Sequence, residues 1–116
     1  EGAKHPVQVH GMDRRSISWI AGLTVLVEAV TCLGRFVFDV QATRDTGWLA
    51  GVTFGLRVHH GYLGILLLLL CPLVRRASAS RVACLRLGSA LLLSDLLHHF
   101  VVLWLIQGDP EFHLRY

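Results

Sequence analysis

Residues 65–70 read Ile-Leu-Leu-Leu-Leu-Leu, and this stretch separates the fold classes that are open to the chain. Six consecutive aliphatic side chains cover every side of a helix, because successive residues lie about 100° apart around its axis. A helix that is apolar on all sides lies in lipid or at the centre of a large protein. The chain has 116 residues and is one domain at most. The stretch therefore predicts an all-α integral membrane protein.

The composition and the flanking sequence favour the same class. Hydrophobic residues make up 53% of the chain and charged residues 16%, whereas a soluble domain has roughly 25% charged residues. Three apolar stretches predict a bundle of three transmembrane helices over residues 17–38, 49–74 and 84–106, within a domain covering 17–108. Each stretch contains ionisable residues, so a soluble helical bundle with a buried polar site is the alternative.

Basic residues indicate the orientation of the predicted bundle. The polar leader, residues 1–16, and the loop between the second and third spans carry most of them: Lys4, Arg14, Arg15, Arg75, Arg76 and Arg81. By the positive-inside rule, the N-terminus is cytoplasmic and the tail, residues 109–116, is extracytoplasmic. The first stretch is long and contains Glu28, so we interpret it as a retained anchor rather than a cleavable signal.

Each predicted span also carries an acid or a histidine near its midpoint. These residues are Glu28 in the first span, His59 and His60 in the second, and Asp95, His98 and His99 in the third. An ionisable group at that depth costs roughly 2.5–3.5 kcal/mol on insertion scales, so such groups usually face the protein interior and serve a function. A helical rise of about 1.5 Å per residue places them at one depth. They predict a single shared intramembrane site.

The residue types in this cluster are typical ligands of a non-haem metal centre. Carboxylate and imidazole suit Fe, Mn or Zn, and the three cysteines, Cys32, Cys71 and Cys84, are too scattered for an iron–sulfur cluster. The Asp95-x-x-His98 spacing resembles the carboxylate-x-x-His pairs of di-iron bundles. We predict five metal ligands: Glu28, His60, Asp95, His98 and His99. Three residues are predicted to support these ligands or to replace one of them: Arg35, Arg57 and His59.

Other cofactors and roles fit the same residues. The stretch from Arg57 to Gly64 resembles the haem helices of small membrane cytochromes b, which implies haem b held by histidine, with arginines meeting the propionates. A proton relay is a further alternative, because intramembrane acids and histidines form relays. A purely structural role is also open, with Glu28 paired to Arg57 or Arg35.

The predicted biological role is coarse, and enzymatic activity is left open. If the site is catalytic, the apolar inner half of the second span favours redox or hydrolytic chemistry on a lipid-soluble substrate such as a quinone. The alternative is a non-catalytic accessory subunit of a larger membrane complex. Three spans bury little surface, so self-association or partner subunits are expected in either case.

The remaining predictions concern location and the chain ends. We expect a multi-pass protein of a bacterial or archaeal cytoplasmic membrane, embedded in the lipid bilayer. The net charge of +3 comes with arginines in loops, where topology explains them, so nucleic-acid binding is not predicted. The tail carries Glu111 and His113, which could cap the outer mouth of the site, but we interpret it as ordinary interfacial chain.

Overall fold

The computed structural model describes residues 13–75 and 78–116, with only the backbone described at residues 42 and 43. All regular secondary structure in this part of the chain is helical. Two long helices, α1 (Arg14–Val37) and α4 (Ala79–Gln107), flank the short α2 (Ala42–Asp45) and the apolar α3 (His60–Leu73). The predicted all-α class is thereby confirmed. Most of the predicted leader, up to residue 12, and Arg76 lie outside the described residues.

Local sequence signals explain where the long helices begin and end. The Asp13 side chain accepts from the Ser16 backbone N–H at 3.1 Å and caps α1. The Ser78 hydroxyl accepts from the Arg81 backbone N–H at 3.2 Å and caps α4 in the same way. At its other end α4 stops at Gly108, whose φ of 75° is the left-handed conformation that glycine adopts readily.

Two helices are long and apolar enough to cross a membrane, judged by length and composition. Helix α1 has 24 residues and α4 has 29, which correspond to about 36 Å and 44 Å of rise, against a hydrocarbon core of about 30 Å. Helix α3 has eleven α-helical residues followed by three in a 3₁₀ turn, and spans only about 21 Å. It therefore does not reach across a bilayer by itself.

The predicted second span over residues 49–74 was wrong in its first part, because helix α3 begins only at His60. A 3₁₀ turn over Gly47–Gly51 precedes it, followed by a tight turn in which Phe54 and Gly55 both have positive φ. The following segment is extended and pairs with the tail: the Arg57 N–H donates to the Leu114 carbonyl at 2.9 Å. Glycine-rich sequence and pairing with the tail thus replace the helix that hydropathy alone predicts.

Helix α4 lies between the other two helices, and α1 and α3 do not pack against each other in the described residues. The α3–α4 crossing is close because glycines face each other. A Cβ added to Gly64 would lie 2.7 Å from the Gly88 carbonyl oxygen and 2.7 Å from the Leu92 backbone nitrogen. Small residues allow this backbone approach between apolar helices. The close crossing places the start of α3 directly beside Asp95 of α4.

The distribution of polarity is the reverse of that in a soluble bundle. The buried polar side chains of the described residues are Thr24, His59, Ser94, Asp95, His98 and His99. Large aliphatic side chains instead face outward, including Leu69 at 70% and Leu105 at 79% exposure. A polar interior inside an apolar exterior fits a lipid environment, where ionisable groups face the bundle interior. The buried polar side chains converge on the candidate site described next.

Candidate metal centre

Helix α4 supplies the centre of the site and is locally distorted there. Asp95 lies in its regular part, and a π-helical segment covers His98–Leu103. Such π segments are rare and occur frequently at functional sites. His98 and His99 are both buried although they are consecutive, because each meets a different neighbour. His98 faces Glu28 of α1, whereas His99 faces His59 at the start of α3.

His59, Asp95 and His99 form the first of two groups that could hold a metal ion, and we call it the His59 group. Nδ1 of His59 lies 3.1 Å from Nε2 of His99. The carboxylate oxygen Oδ1 of Asp95 lies 3.8 Å from Nδ1 of His59 and 4.0 Å from Nε2 of His99. Three potential ligand atoms from two helical regions therefore converge on one buried point.

The tail determines which nitrogens of these two imidazoles carry hydrogen. Nε2 of His59 is 3.0 Å from the backbone carbonyl oxygen of His113, and Nδ1 of His99 is 2.7 Å from that of Pro110. A carbonyl oxygen only accepts, so both of these nitrogens are donors. In neutral imidazoles the two remaining nitrogens carry lone pairs. The nitrogens that carry them, Nδ1 of His59 and Nε2 of His99, face each other at 3.1 Å, next to the Asp95 carboxylate.

Two buried atoms of this cluster lack hydrogen-bond partners. Among the described residues, Oδ1 of Asp95 and Nε2 of His60 are buried without one. The Nδ1 atom of His60 lies 3.3 Å from that same Asp95 oxygen. Buried polar groups are normally satisfied, and each exception calls for an explanation. A cation bound among these atoms would satisfy the carboxylate oxygen and the facing imidazoles together.

Asp95 is held in place by the start of α3. A Cβ added to Gly61 would lie 2.6 Å from the Asp95 carboxylate oxygen Oδ2 and 2.9 Å from the Asp95 Cβ. Glycine at position 61 is therefore what lets the carboxylate lie against the first turn of α3. A helix N-terminus favours a negative charge, which further explains the position of this buried acid.

Glu28, Cys32 and His98 form the second group, which we call the Glu28 group. Here the carboxylate already has donors: His98 Nδ1 at 2.9 Å, Cys32 Sγ at 3.1 Å and Ser94 Oγ at 3.0 Å. This network joins α1 to α4 and satisfies Glu28 without a further ligand. The hypothesis that Glu28 pairs with Arg35 or Arg57 was wrong, because its carboxylate bonds to these three side chains instead. The His98 and His99 rings, 5.4 Å apart between centroids, connect the two groups.

The tail packs against the candidate site through side-chain as well as backbone hydrogen bonds. Besides the two carbonyls, Glu111 accepts from Arg35 through both carboxylate oxygens, at 3.0 and 3.1 Å. Tyr116 hydrogen-bonds through its hydroxyl to Thr46 at 3.0 Å and through its backbone N–H to the Gly55 carbonyl at 3.1 Å. These contacts tie the tail to α1 and to the segment before α3.

A cavity of about 540 Å³ borders the His59 group. The cavity is lined by the His59 group and by the two histidines next to it in sequence: His59, His60, Asp95, His98 and His99. Arg35 and Arg57 line it as well, together with Glu111 and His113 of the tail. The candidate ligands therefore border a cavity of small-molecule size.

The loop beside this cavity is an ion-pair cluster. Arg44 donates to the carboxylates of Asp39 and Asp45, at 2.9 Å in each case. The Arg44 guanidinium holds the pKa of both carboxyl groups below the usual range, with smaller contributions from hydrogen bonds of Gln41. Both carboxylates are accordingly ionised at neutral pH and pair with Arg44 rather than with the site.

The five predicted ligands are brought together, but they fall into two groups. Asp95 and His99 belong to the His59 group, Glu28 and His98 to the Glu28 group, and His60 lies beside Asp95. His59, predicted only as a supporting residue, stands among the ligand atoms. Sequence reasoning missed the carbonyls of Pro110 and His113. The signal that could have found the tail was Arg35, an outer-half charge that needed an acid such as Glu111.

Comparison with known proteins gave no match to a family model, to a curated protein or to a solved structure.

Proposed function

We propose that this chain is a small membrane protein that binds a non-haem metal ion, Fe, Mn or Zn, at the His59 group. His59, Asp95 and His99 are the proposed ligands, and His60 is the candidate for a fourth. The observation that carries the proposal is the pair of facing imidazole lone pairs next to an unsatisfied buried carboxylate oxygen. Without a metal ion or an added proton, that arrangement places three electron-rich atoms together in a low-dielectric interior, which is costly.

The spacing and the support of the ligand atoms both agree with a metal site. Two ligands at about 2.0–2.1 Å from a tetrahedral zinc ion are roughly 3.3–3.4 Å apart. The separations here, 3.1 to 4.0 Å, bracket that value. Metal-binding histidines usually donate their second N–H to a backbone carbonyl or carboxylate. His59 and His99 both do so, through His113 and Pro110.

The proposed setting is a bilayer in which α1 and α4 are the spanning helices. Helix α3 would then occupy the inner half, and the irregular segment before it would lie at membrane depth. Non-helical backbone is tolerated there when it lines a cavity within the protein, as this segment does. The positive-inside rule places the N-terminus in the cytoplasm. Because the described residues bury few apolar side chains, we also propose assembly with further copies or with partner subunits.

The alternatives fit this geometry less well. Two axial ligands of one haem iron lie on opposite faces of a porphyrin, whereas the nitrogens of His59 and His99 are in direct contact at 3.1 Å. A proton relay needs acceptors that pass protons onward, but this histidine pair ends on backbone carbonyls at both sides. An accessory subunit without catalysis is compatible with a bound metal. The class of reaction would depend on the metal. Fe or Mn would support redox chemistry, and Zn would support hydrolysis.

Metal content tests the proposal. The protein purified in neutral detergent should contain stoichiometric metal by elemental analysis, and Asp95→Asn or His99→Ala should lose at least about 90% of it because each removes a ligand. Asp39→Asn is the matched control, since Asp39 is an exposed aspartate paired with Arg44. A metal-free unmodified protein that also fails to take up Fe²⁺, Mn²⁺ or Zn²⁺ in solution would refute the proposal.

A further inference from the structure

Arg57 is the feature of the cavity that the proposed metal site leaves unexplained. It is half-buried and lines the cavity, and within residues 13–75 and 78–116 its side chain has no hydrogen bond and no ion pair. The other arginine of the cavity, Arg35, is paired with Glu111 at 3.0 Å. A partly buried guanidinium without a partner is costly, so its position indicates a ligand that the cavity brings to it.

The backbone holds Arg57 beside the same space as the proposed ligands. Its N–H is held by the Leu114 carbonyl at 2.9 Å, and the chain runs extended into His59, which has φ −105° and ψ 138°. Arg57 and His59 both line the cavity, as do Val58 and His60, so this whole segment borders the same space.

The charges around the proposed metal ion favour the binding of an anion. A divalent ion held by Asp95 and neutral imidazoles keeps one positive charge, and the Arg57 guanidinium adds another. Of the two tail acids that line the cavity, Glu111 is paired with Arg35, and the exposed Asp109 offsets one of these charges, which leaves one net positive charge. Guanidinium recognises phosphate and carboxylate groups through paired N–H donors in a planar fork. An oxyanion would meet this donor fork on one side and the open face of the metal on the other.

We infer that the cavity binds a small oxyanion, a phosphate or carboxylate group, held between Arg57 and the metal ion. This inference rests on the proposed metal site. The cavity of about 540 Å³ is in the usual size range of small-molecule sites, so the oxyanion can belong to a larger compound or to a lipid headgroup. The polar side chains of Gln41 and Thr46 line the cavity, which favours this class over the lipid-soluble substrate predicted from the sequence.

Cobalt substitution tests the two steps separately. Protein loaded with Co²⁺ should show a visible absorption band from the bound ion, and inorganic phosphate should shift that band in a saturable way. Arg57→Gln should bind Co²⁺ with the same stoichiometry but require at least about tenfold more phosphate for the half-maximal shift. Arg44→Gln is the matched control, because Arg44 is an exposed arginine of the neighbouring loop, paired with Asp39 and Asp45. It should behave like the unmodified protein.

Each result is decisive. Co²⁺ binding that neither inorganic phosphate nor phosphatidic acid affects, or a response to both that is equal in Arg57→Gln, overturns the oxyanion inference and leaves the metal site standing. Failure to bind Co²⁺ overturns both. Repeating the titration in phosphatidylcholine nanodiscs with and without phosphatidic acid distinguishes the source. A shift that Arg57→Gln weakens and that only phosphatidic acid produces supports a lipid headgroup, and one produced by free phosphate supports a soluble ligand.

Discussion

Pro110 and His113 contribute backbone carbonyls, not side chains, to the candidate metal centre. Residue types could be predicted from the sequence, because buried acids and histidines stand out in apolar stretches. The ranking of the histidines as metal ligands could not be predicted. It assumed one helix through residues 49–74, in which His59 points away from His60. The helix begins at His60, and the extended backbone of His59 turns its ring into the site instead.

At the residue scale the two groups make opposite predictions for their acids. Glu28→Gln should leave the metal affinity within about twofold, because Glu28 is already satisfied by three donors. Asp95→Asn should weaken it at least about tenfold, since it removes a ligand charge. Competition against a fluorescent zinc chelator measures both. The reverse pattern would move the metal centre to the Glu28 group.

Glu28→Gln should lower the stability of the fold rather than the affinity for metal. An amide at position 28 presents donors to the side chains of Cys32, Ser94 and His98, which donate to the carboxylate. Loss of hydrogen bonds to a charged group costs about 1.5–3 kcal/mol each at most, so the thermal midpoint in detergent should fall. A lowered midpoint with intact metal affinity separates the structural acid from the ligand acid.

At the scale of elements, hydropathy located α1 and α4 but not the start of α3. The stretches 17–38 and 84–106 lie within the observed Arg14–Val37 and Ala79–Gln107, apart from a single residue at 38. Residues 49–59 are apolar in part but contain Gly51 and Gly55, and their backbone pairs with a tail far away in sequence. Such long-range pairing leaves no periodic signal, which is why this segment could not be predicted.

Gly61 makes the junction of α3 with α4 testable. Gly61→Ala should weaken metal binding by about 10–100-fold, the usual effect of disturbing a residue that orients a ligand. The added Cβ would lie 2.6 Å from the Asp95 carboxylate oxygen Oδ2, so the carboxylate must move. Gly22→Ala is the matched control, because nothing lies within 4 Å of a Cβ added in that part of α1. Equal affinities for the two variants would show that Gly61 does not position Asp95.

At the scale of the whole molecule, the proposed bilayer setting accounts for a buried polar centre beneath an apolar exterior. The large exposed aliphatics of α3 and α4 would destabilise a water-soluble monomer, whereas lipid solvates them without cost. Helix α3 is apolar but too short to span a bilayer, so hydropathy peaks alone do not give the number of membrane crossings. The decisive element is α4, because the basic residues before it and the tail after it should lie on opposite sides.

Single cysteines at the two ends of α4 test this arrangement. In a background with Cys32, Cys71 and Cys84 replaced by alanine, Arg115→Cys should react with a membrane-impermeant maleimide in intact cells. Arg75→Cys should react only after permeabilisation, because the positive-inside rule keeps that loop in the cytoplasm. Both positions are exposed, so accessibility to the reagent in detergent provides the control. In the described residues between the two positions, α4 is the one long helix. Labelling of both cysteines from outside would therefore mean that α4 does not cross the bilayer. A reversed pattern would mean that the protein has the opposite orientation.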